Sequence, residues 1–379
     1  MAVSDAPITT WSDTTAHKIP TSDLVALIDP TDTPFVSYFG LEGDAQKFRI
    51  RDWPSYKAVW LEDDLAAMLT TLGASIDSAT TDVTMTVADA SLIKPGDVLM
   101  VDAELMWVLS KVNSTNVVTL TTRGYGGTRT THASAAACYR VGMARLEGAT
   151  ADYDYKTDVL GPYNMTQIFQ AGVQVNGSQL AITQWGIADE LEYQRNKKIP
   201  ELTRLIDRAV YYQDAIKTGG STTTARAFGG LPAFVTTNTA ALASAALTRK
   251  DIEDMLQKIY EAGGKPSVIF TTPWNKRKIS SFYEGSVRTE RSEERGGVQI
   301  DVVTSEFGDV QVIMDRWAKP GCAYFLTPEH IGFLPMRSFF WQELAKTGDA
   351  VQHEVIGEYT FVVRMPLAHG IISGASTTT

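Results

Sequence analysis

The amino-acid sequence predicts an α+β protein with a small all-β domain inserted into an extended β arm. Three observations carry this prediction. The stretch Thr248–Gly285 reads as helix, strand and helix, with a punctuating residue at almost every boundary. Between Ala74 and Gly142 the texture changes to short β-branched runs separated by turn signals. On either side of that region, Lys47–Trp53 and Asn164–Val175 alternate in the two-residue period of strands.

Size and composition narrow the class. A chain of 379 residues can bury a large core and form two or three domains. Its 44% hydrophobic and 21% charged content is that of an ordinary globular protein. The net charge of −10 argues against a protein that coats nucleic acid, though not against one that encloses it. Cys138 and Cys322 lack ligand spacing, so they read as buried apolar residues rather than a disulfide or zinc site. The N-terminus lacks a signal-peptide pattern. The uncharged stretches Val159–Ala188 and Ala227–Thr248 are too polar to span a bilayer. The expectation is a soluble protein made in the cytosol, with no membrane partner.

The elements follow in chain order. Residues 1–40 are rich in Thr, Asp and Pro, with a possible turn of helix at Ser22–Ile28 and aromatic anchors at Phe35, Tyr38 and Phe39. They read either as a mobile tail or as an arm that orders against a neighbour; the anchors favour the arm. Lys47–Trp53 is a strand candidate, and Asp63-Asp64 a solvated acidic turn. Candidate strands follow at Val83–Val87, Val98–Val101, Met106–Val112, Val117–Thr121 and Ala137–Val141, a spacing that suggests a small barrel or sandwich. Asn164–Val175 alternates apolar residues with Gln and Asn, as in a half-exposed strand, and is expected to pair with Lys47–Trp53. Thr183–Thr218 carries a helical apolar face of Ile199, Leu202, Leu205, Ile206, Ala209, Val210 and Ile216, and Pro200 predicts a kink or two consecutive helices.

In Thr248–Gly285, Thr248 and Asp251 are spaced as a capping box. Ile252, Met255, Leu256, Ile259 and Tyr260 form one face of a helix, which Gly263-Gly264 ends. Ser267–Thr271 is a short strand, and Thr272-Pro273 starts a second helix that Gly285 stops. Arg288–Arg295 reads as a charged loop. Gly297–Ser305 and Asp309–Asp315 form a hairpin, followed by β segments at Ala323–Leu326, Ile331–Leu334, Gln352–Tyr359 and Thr360–Arg364.

Catalytic signals are missing where they would be expected. The chain contains no GxSxG, HExxH, GxGxxG or EF-hand pattern. The five histidines, His17, His132, His330, His353 and His369, have no metal-ligand spacing; His132 reads as structural or exposed. The Gly-rich run Arg123–Thr128 lacks phosphate-loop spacing and reads as a hairpin turn. No catalytic, cofactor-binding or metal residue is assigned, and no cofactor is expected. Arms that cannot bury themselves alone point to a protomer of a large closed assembly.

Several segments also resemble a known family. KIYEAGGKPSVIFTTPWNK, SEFGDVQVIMDRW, LTPEHI and ELAKTGD with IGEYT together resemble the SU10-type major capsid proteins of tailed bacteriophages, which have the HK97-like fold. NMTQIFQAGVQVNGS, ADELEYQ and TPFVSYFG extend the resemblance upstream. GDVLMVDAE and TLTTRGYGGTRTTHAS are similar to the β-domain that some members insert. The resemblance implies an N-arm at residues 1–40 and an E-loop region at 41–180 with a β-domain at 74–142. It further implies a spine helix within 181–220, and an axial domain with the remaining peripheral strands at 221–379. Its implied partners are further copies in hexamers and pentamers, portal and scaffold proteins, possible decoration proteins, and enclosed double-stranded DNA. Its implied location is the virion.

Assembly-contact candidates in this reading are Phe35, Tyr38, Phe39, Trp53, Trp60, Gln167 and Phe169. Arg195, Lys197, Lys198, Lys276, Arg277 and Lys278 are candidates for a basic cluster facing the lumen, against the plainer reading of solvated helix faces. Two alternatives stand beside the phage head: an encapsulin-like shell, which shares the fold, and a cytosolic enzyme built on the helix–strand–helix unit.

Overall fold

The computed structural model describes residues 31–43, 47–48, 50, 53–63, 65, 67–79, 83–150, 159–182, 189–214, 218–282, 287–291, 299–346 and 348–377. The chain divides into two compact units, one formed by residues 1–60 with 161–379 and the other by 61–160.

The first unit is built on a seven-stranded mixed sheet. Its spatial order is Thr239–Ala241, Gly370–Ser373, Ala323–Leu326, Val268–Thr271, Gly308–Met314, Gln299–Ser305 and Val287–Arg291. Strand periodicity explains the layers on either side. Along the central strand, Val268 and Phe270 enter one apolar cluster while Ile269 enters another. In the next strand, Tyr324 and Leu326 share the first cluster, whereas Ala323 and Phe325 share the second. Both sheet faces are therefore covered, which is why Val268–Thr271 is buried at all four positions.

One face is covered by the Arg249–Glu261 helix through Ile252, Met255, Leu256 and Ile259, joined by Ile279 of the Pro273–Phe282 helix. The expected capping box is formed: the Asp251 amide donates to Thr248 Oγ1 at 3.3 Å, and the Thr248 amide to Asp251 Oδ2 at 2.8 Å. Gly263 ends the helix at φ +88°. A Cβ on Gly264 would lie 2.6 Å from Ala368 Cα, so the helix end packs closely there. Gly285 lies outside the described residues.

The other face carries the Glu190–Tyr212 helix, 23 residues long. Asp189 caps it by accepting from the Leu191 and Glu192 amides. Two expectations are corrected here. Of the two alternatives that Pro200 predicts, two consecutive helices are not formed: the helix runs through Pro200 as one element. A proline in a helix interior costs about 3 kcal/mol; burial of Leu202, Ile206, Val210 and Tyr211 beyond it offsets that cost. The buried stripe also excludes Leu205 and Ile199, which are exposed, and includes Asp207. Ile216 lies outside the described residues.

On the same face lies a three-stranded antiparallel sheet in the order Ile331–Glu343, Ala350–Val363, Gln167–Asn176. The segments Gln352–Tyr359 and Thr360–Arg364 are thus one long strand, and Ile331–Leu334 is the first third of another. Among the described residues the expected pairing of Lys47–Trp53 with Asn164–Val175 is not formed; Arg49, Arg51 and Asp52 lie outside them. Gln167–Asn176 instead pairs along its whole length with Ala350–Val363. Phe48 packs near Gly332, and Trp53 Nε1 donates to Pro335 O at 2.8 Å. A ten-residue ladder that includes the apolar pairs Val351–Val175 and Val355–Ala171 outcompetes a seven-residue segment followed at once by Pro54. Arg288–Arg295 is likewise not wholly loop: Val287–Arg291 is a strand paired with Gln299–Val303.

Lys57–Val59 pairs with Tyr163–Met165. The unit 61–160 holds six antiparallel strands in the order Leu69–Thr71, Ala137–Met143, Asp97–Val101, Glu104–Val112, Val117–Arg123 and Thr84–Thr86. The two outer strands meet through a Leu72–Val87 bridge, with the Gly73 amide donating to Thr86 O and the Ala88 amide to Thr71 O, each at 2.8 Å. The sheet therefore closes into a small barrel. Leu99, Val101, Met106, Val108, Val118 and Leu120 fill its interior. Its first strand, Leu69–Thr71, precedes residue 74, and its Ala137–Met143 strand ends one residue past 142.

Candidate assembly elements

The N-terminal segment is the first element with a built environment. Pro34–Phe39 forms a short helix whose preceding Thr33 makes no side-chain cap. Asp207 of the long helix supplies an acceptor instead: its Oδ1 takes the Val36 amide at 3.1 Å. Phe35 is fully buried, with ring centres 5.0–6.0 Å from Tyr211, Phe270, Phe333 and Phe361. Asp32 secures the other end. Its carboxylate lies 3.0 Å from Arg316 Nε, and its carbonyl accepts from Trp317 Nε1 at 2.7 Å.

Beneath the segment lie two buried carboxylates. Tyr211 donates to Asp315 Oδ2 and the Trp317 amide to Asp315 Oδ1, both at 2.8 Å. Burial, then the nearby Asp315 charge, pushes Asp207 up to about 9 against the pull of the Val36 amide. Burial raises Asp315 to about 6, against its two hydrogen bonds.

The second element is the long three-stranded sheet. It is buried at one end, from Ile331 to Leu334 and Tyr359 to Val363, and largely open at the other. Glu358 stands at the changeover, buried, accepting from Thr166 Oγ1 and Arg226 Nη2 at 2.6 Å and from Arg337 Nη2 at 3.1 Å. The edge strand borders a polar groove of 590 Å³ lined by Gln174, Asn176, Gln179, Glu190, Gln194 and Lys198 among others.

In the barrel, Glu104 gathers Arg123, the Gly124 and Thr130 amides and His132. Burial alone would raise its carboxyl, but the bonds from Arg123, Thr130 and His132 prevail and hold it at about 2. His132 is buried between Asp102 at 2.7 Å and Glu104 at 3.0 Å. It is structural, and its partners lie about 30 residues away in sequence, beyond the reach of local spacing rules. Among the described residues no group of His, Cys, Asp and Glu is arranged to hold a metal ion, and no helix is long and apolar enough to cross a membrane.

The structure redistributes the sequence-derived contact candidates. Phe35, Trp60 and Phe169 are buried in the subunit's own core, and Tyr38, Phe39 and Trp53 pack against it. Gln167 Oε1 lies 3.4 Å from the Phe228 amide. Aromatic anchors satisfied within one chain leave little ring area for a neighbour. Arg195, Lys197 and Lys198 lie on the long helix, and Lys276, Arg277 and Lys278 on the Pro273–Phe282 helix. Several already have local partners: Arg195 stacks over Trp341, Lys197 over Tyr193 and Arg277 over Trp274, while Lys198 pairs with Glu201 at 2.8 Å. Asp207, Asp315 and Glu358 were missed. The one sequence signal among them is Asp207, a carboxylate within the apolar stripe of a helix.

This combination of a doubly covered sheet, a long helix beside a three-stranded sheet and a separate barrel unit can be set against known proteins. The SU10 major capsid protein family model matches residues 8–376. The chain belongs to the SU10 major capsid protein family. Its structure is similar to that of a protein in the cyanophage A-1(L) capsid asymmetric unit, with a TM-score of 0.56 and 11% identity over 98% of this chain and 100% of that one. A Mycobacterium phage Cain chain matches with a TM-score of 0.50 and 11% identity, covering 99% and 100%. The SrpI encapsulin of Synechococcus elongatus PCC 7942 matches 59% of the chain and 79% of its own, with a TM-score of 0.46 and 10% identity. No curated protein sequence matches. The fold is the HK97-like capsid fold, and the elements above belong to a capsid protein that assembles into a multimeric shell.

Proposed function

We propose that this capsid protein closes through hexamers and pentamers into an icosahedral phage head around double-stranded DNA. The family match over residues 8–376 carries the reading. The long sheet, open at one end and built partly from Gln167–Asn176, supports an E-loop-like role over a neighbouring subunit. With Asp32–Phe39 seated in its own core, the arm that reaches a neighbour is assigned to the residues before Asp32. Many weak contacts of this kind become collectively strong once rings close. The acidic chain suits a container, because phosphate contacts would accumulate affinity steeply. Portal and scaffold proteins are the expected partners, decoration proteins possible ones, and the virion the expected location. Lys276, Arg277 and Lys278 with Arg195, Lys197 and Lys198 remain candidates for a lumenal patch. Neutralising such a patch is expected to alter packaged-DNA stability while leaving empty-shell assembly intact.

Negative-stain microscopy of the expressed chain tests the proposal. Shells or capsomer-sized rings are the expected result. A monomer or dimer that persists with a scaffold partner present overturns it. An encapsulin-like shell would be separated from a phage head by its genome neighbours, since only the head requires portal and terminase genes.

A further inference from the structure

We propose that Asp32–Phe39 is a proton-gated strap, seated while Asp207 keeps a proton and lifted once Asp207 and Asp315 are both ionised. The inference holds for the single chain and does not depend on the shell reading.

The geometry around Asp207 motivates it. The residue is fully buried, Oδ1 takes the Val36 amide, and Oδ2 meets no donor. Among the described residues, neither Asp207 nor Asp315 forms an ion pair with a lysine or arginine. The groups turned toward them are Asp32 from the strap, Tyr211 from the long helix, and Tyr324, whose ring centre is 4.8 Å from that of Tyr211, while Arg204, one turn before Asp207, lies half-buried over the Trp317 ring at 5.7 Å. Cys322 lies beyond Tyr324. Arg316, next to Asp315 in the chain, is engaged by Asp32 at 3.0 Å and is half exposed. The seated strap thus brings a third carboxylate toward two that share no buried cation, a setting that disfavours ionising both.

The strap itself bears on the pair, since Val36 supplies the amide on Asp207 and the Phe35 ring lies 5.5 Å from Tyr211. Withdrawing them opens the carboxylates to water. A carboxyl in water has a pKa of about 3.9, so the open state has shed protons by neutral pH while the seated state retains one. Seating therefore takes up a proton. It is most favourable in acid and weakens as pH rises toward the raised value of Asp207. Release frees eight residues, which span roughly 27 Å when extended.

Hydrogen exchange on the full chain tests this, read as protection of the Ser37 and Gly40 amides after correction for intrinsic rates. Those amides donate to Thr33 O and Val36 O at 2.8 Å when the strap is seated. Protection is expected to fall about tenfold per pH unit between pH 7 and 9, one proton per opening, while amides of Val268–Thr271 hold theirs. Asp207→Asn, which mimics the protonated acid, should keep strap protection high and flat. Equal wild-type protection at pH 7 and 9, or the same slope in Asp207→Asn, overturns the proposal. Should that variant fail to fold, Asp315→Asn serves instead. Removing the neighbouring charge lowers the raised value of Asp207, so protection should level off at a lower pH and fall less between pH 7 and 9, and an unmoved profile counts against the strap.

Discussion

Replacing Glu104 by Gln should destabilise the barrel unit selectively and abolish most of its acid sensitivity. The carboxylate lies against Arg123 with contacts of 3.0 and 3.1 Å, and both side chains are fully buried. A value of about 2, against 4.5 for the free group, corresponds to roughly 3 kcal/mol at neutral pH. A second route gives a similar size: removing one partner of a buried ion pair costs about 3–5 kcal/mol because the other charge is left uncompensated. Since the folded value is depressed, the contribution is complete above pH 4.5 and is lost as pH falls toward 2. About 2 kcal/mol of it is gone by pH 3. The assay is amide exchange of peptides from Glu104–Val112 and Val117–Arg123 in the intact chain, which reads opening of this unit alone. At pH 7 the variant should exchange roughly 100-fold faster than wild type. The two should converge as pH drops, because only wild type loses the ion pair. A penalty below about 1 kcal/mol at pH 7, or one undiminished at pH 3, would refute the reasoning.

Phe35→Ala should cost the first unit about 3–5 kcal/mol, seen as a lowered urea midpoint, because a fully buried ring among five others leaves a cavity. His369 should give the same unit its own acid transition. Burial lowers this histidine to about 4, and its neutral form accepts from the Thr327 amide and donates to Arg364 O. Its contribution is present above about pH 6.5 and is lost as pH falls toward 4, and His369→Gln should flatten that slope in urea titrations. Deleting Leu61–Leu160 and joining Trp60 to Gly161 through a short glycine linker should leave the first unit folded. The two ends are already paired, with Val59 opposite Tyr163 and the Trp60 amide on Pro162 O, so near-native circular dichroism is expected of the shortened chain.

How far the sequence could be read depended on whether the signal was local. The Arg249–Glu261 helix was legible because its start, stripe and stop are neighbouring residues: Thr248 with Asp251, Ile252 to Ile259, and Gly263. The hairpin around Phe307-Gly308 was legible for the same reason. Strand partnership was not. Lys47–Trp53 and Asn164–Val175 look equally strand-like, and only the three-dimensional alternatives show that Ala350–Val363 is the better partner. Pro200 does not split its helix in two because a propensity penalty of a few kcal/mol is smaller than the burial gained over the following three turns. The polar sites fared worst. Glu358 gathers Thr166, Arg226 and Arg337 from segments up to 192 residues apart. Nothing in its own neighbourhood distinguishes it from a surface acid.

The same distinction bears on where subunits meet. Aromatic residues in a shell protein invite assignment as contacts, yet Phe35, Trp60 and Phe169 are needed to fill the subunit's own core. A contact residue must be apolar and also left over once the core is complete. In the first unit that description fits Ile168 and Phe340 on the long sheet, Leu180 and Ile182 after it, and Leu205 on the long helix, all more than a third exposed. Leu205 carries the argument furthest. Its spacing placed it on the buried face of its helix, but the buried stripe passes it by, and Asp207 lies inside that stripe instead. Placing an acid in the core and a leucine on the surface of one helix runs against the hydrophobic pattern twice within three residues. The Asp207 exchange is explained by its hold on the Val36 amide. The Leu205 exchange has a matching explanation if a second surface covers that side chain in the assembled shell.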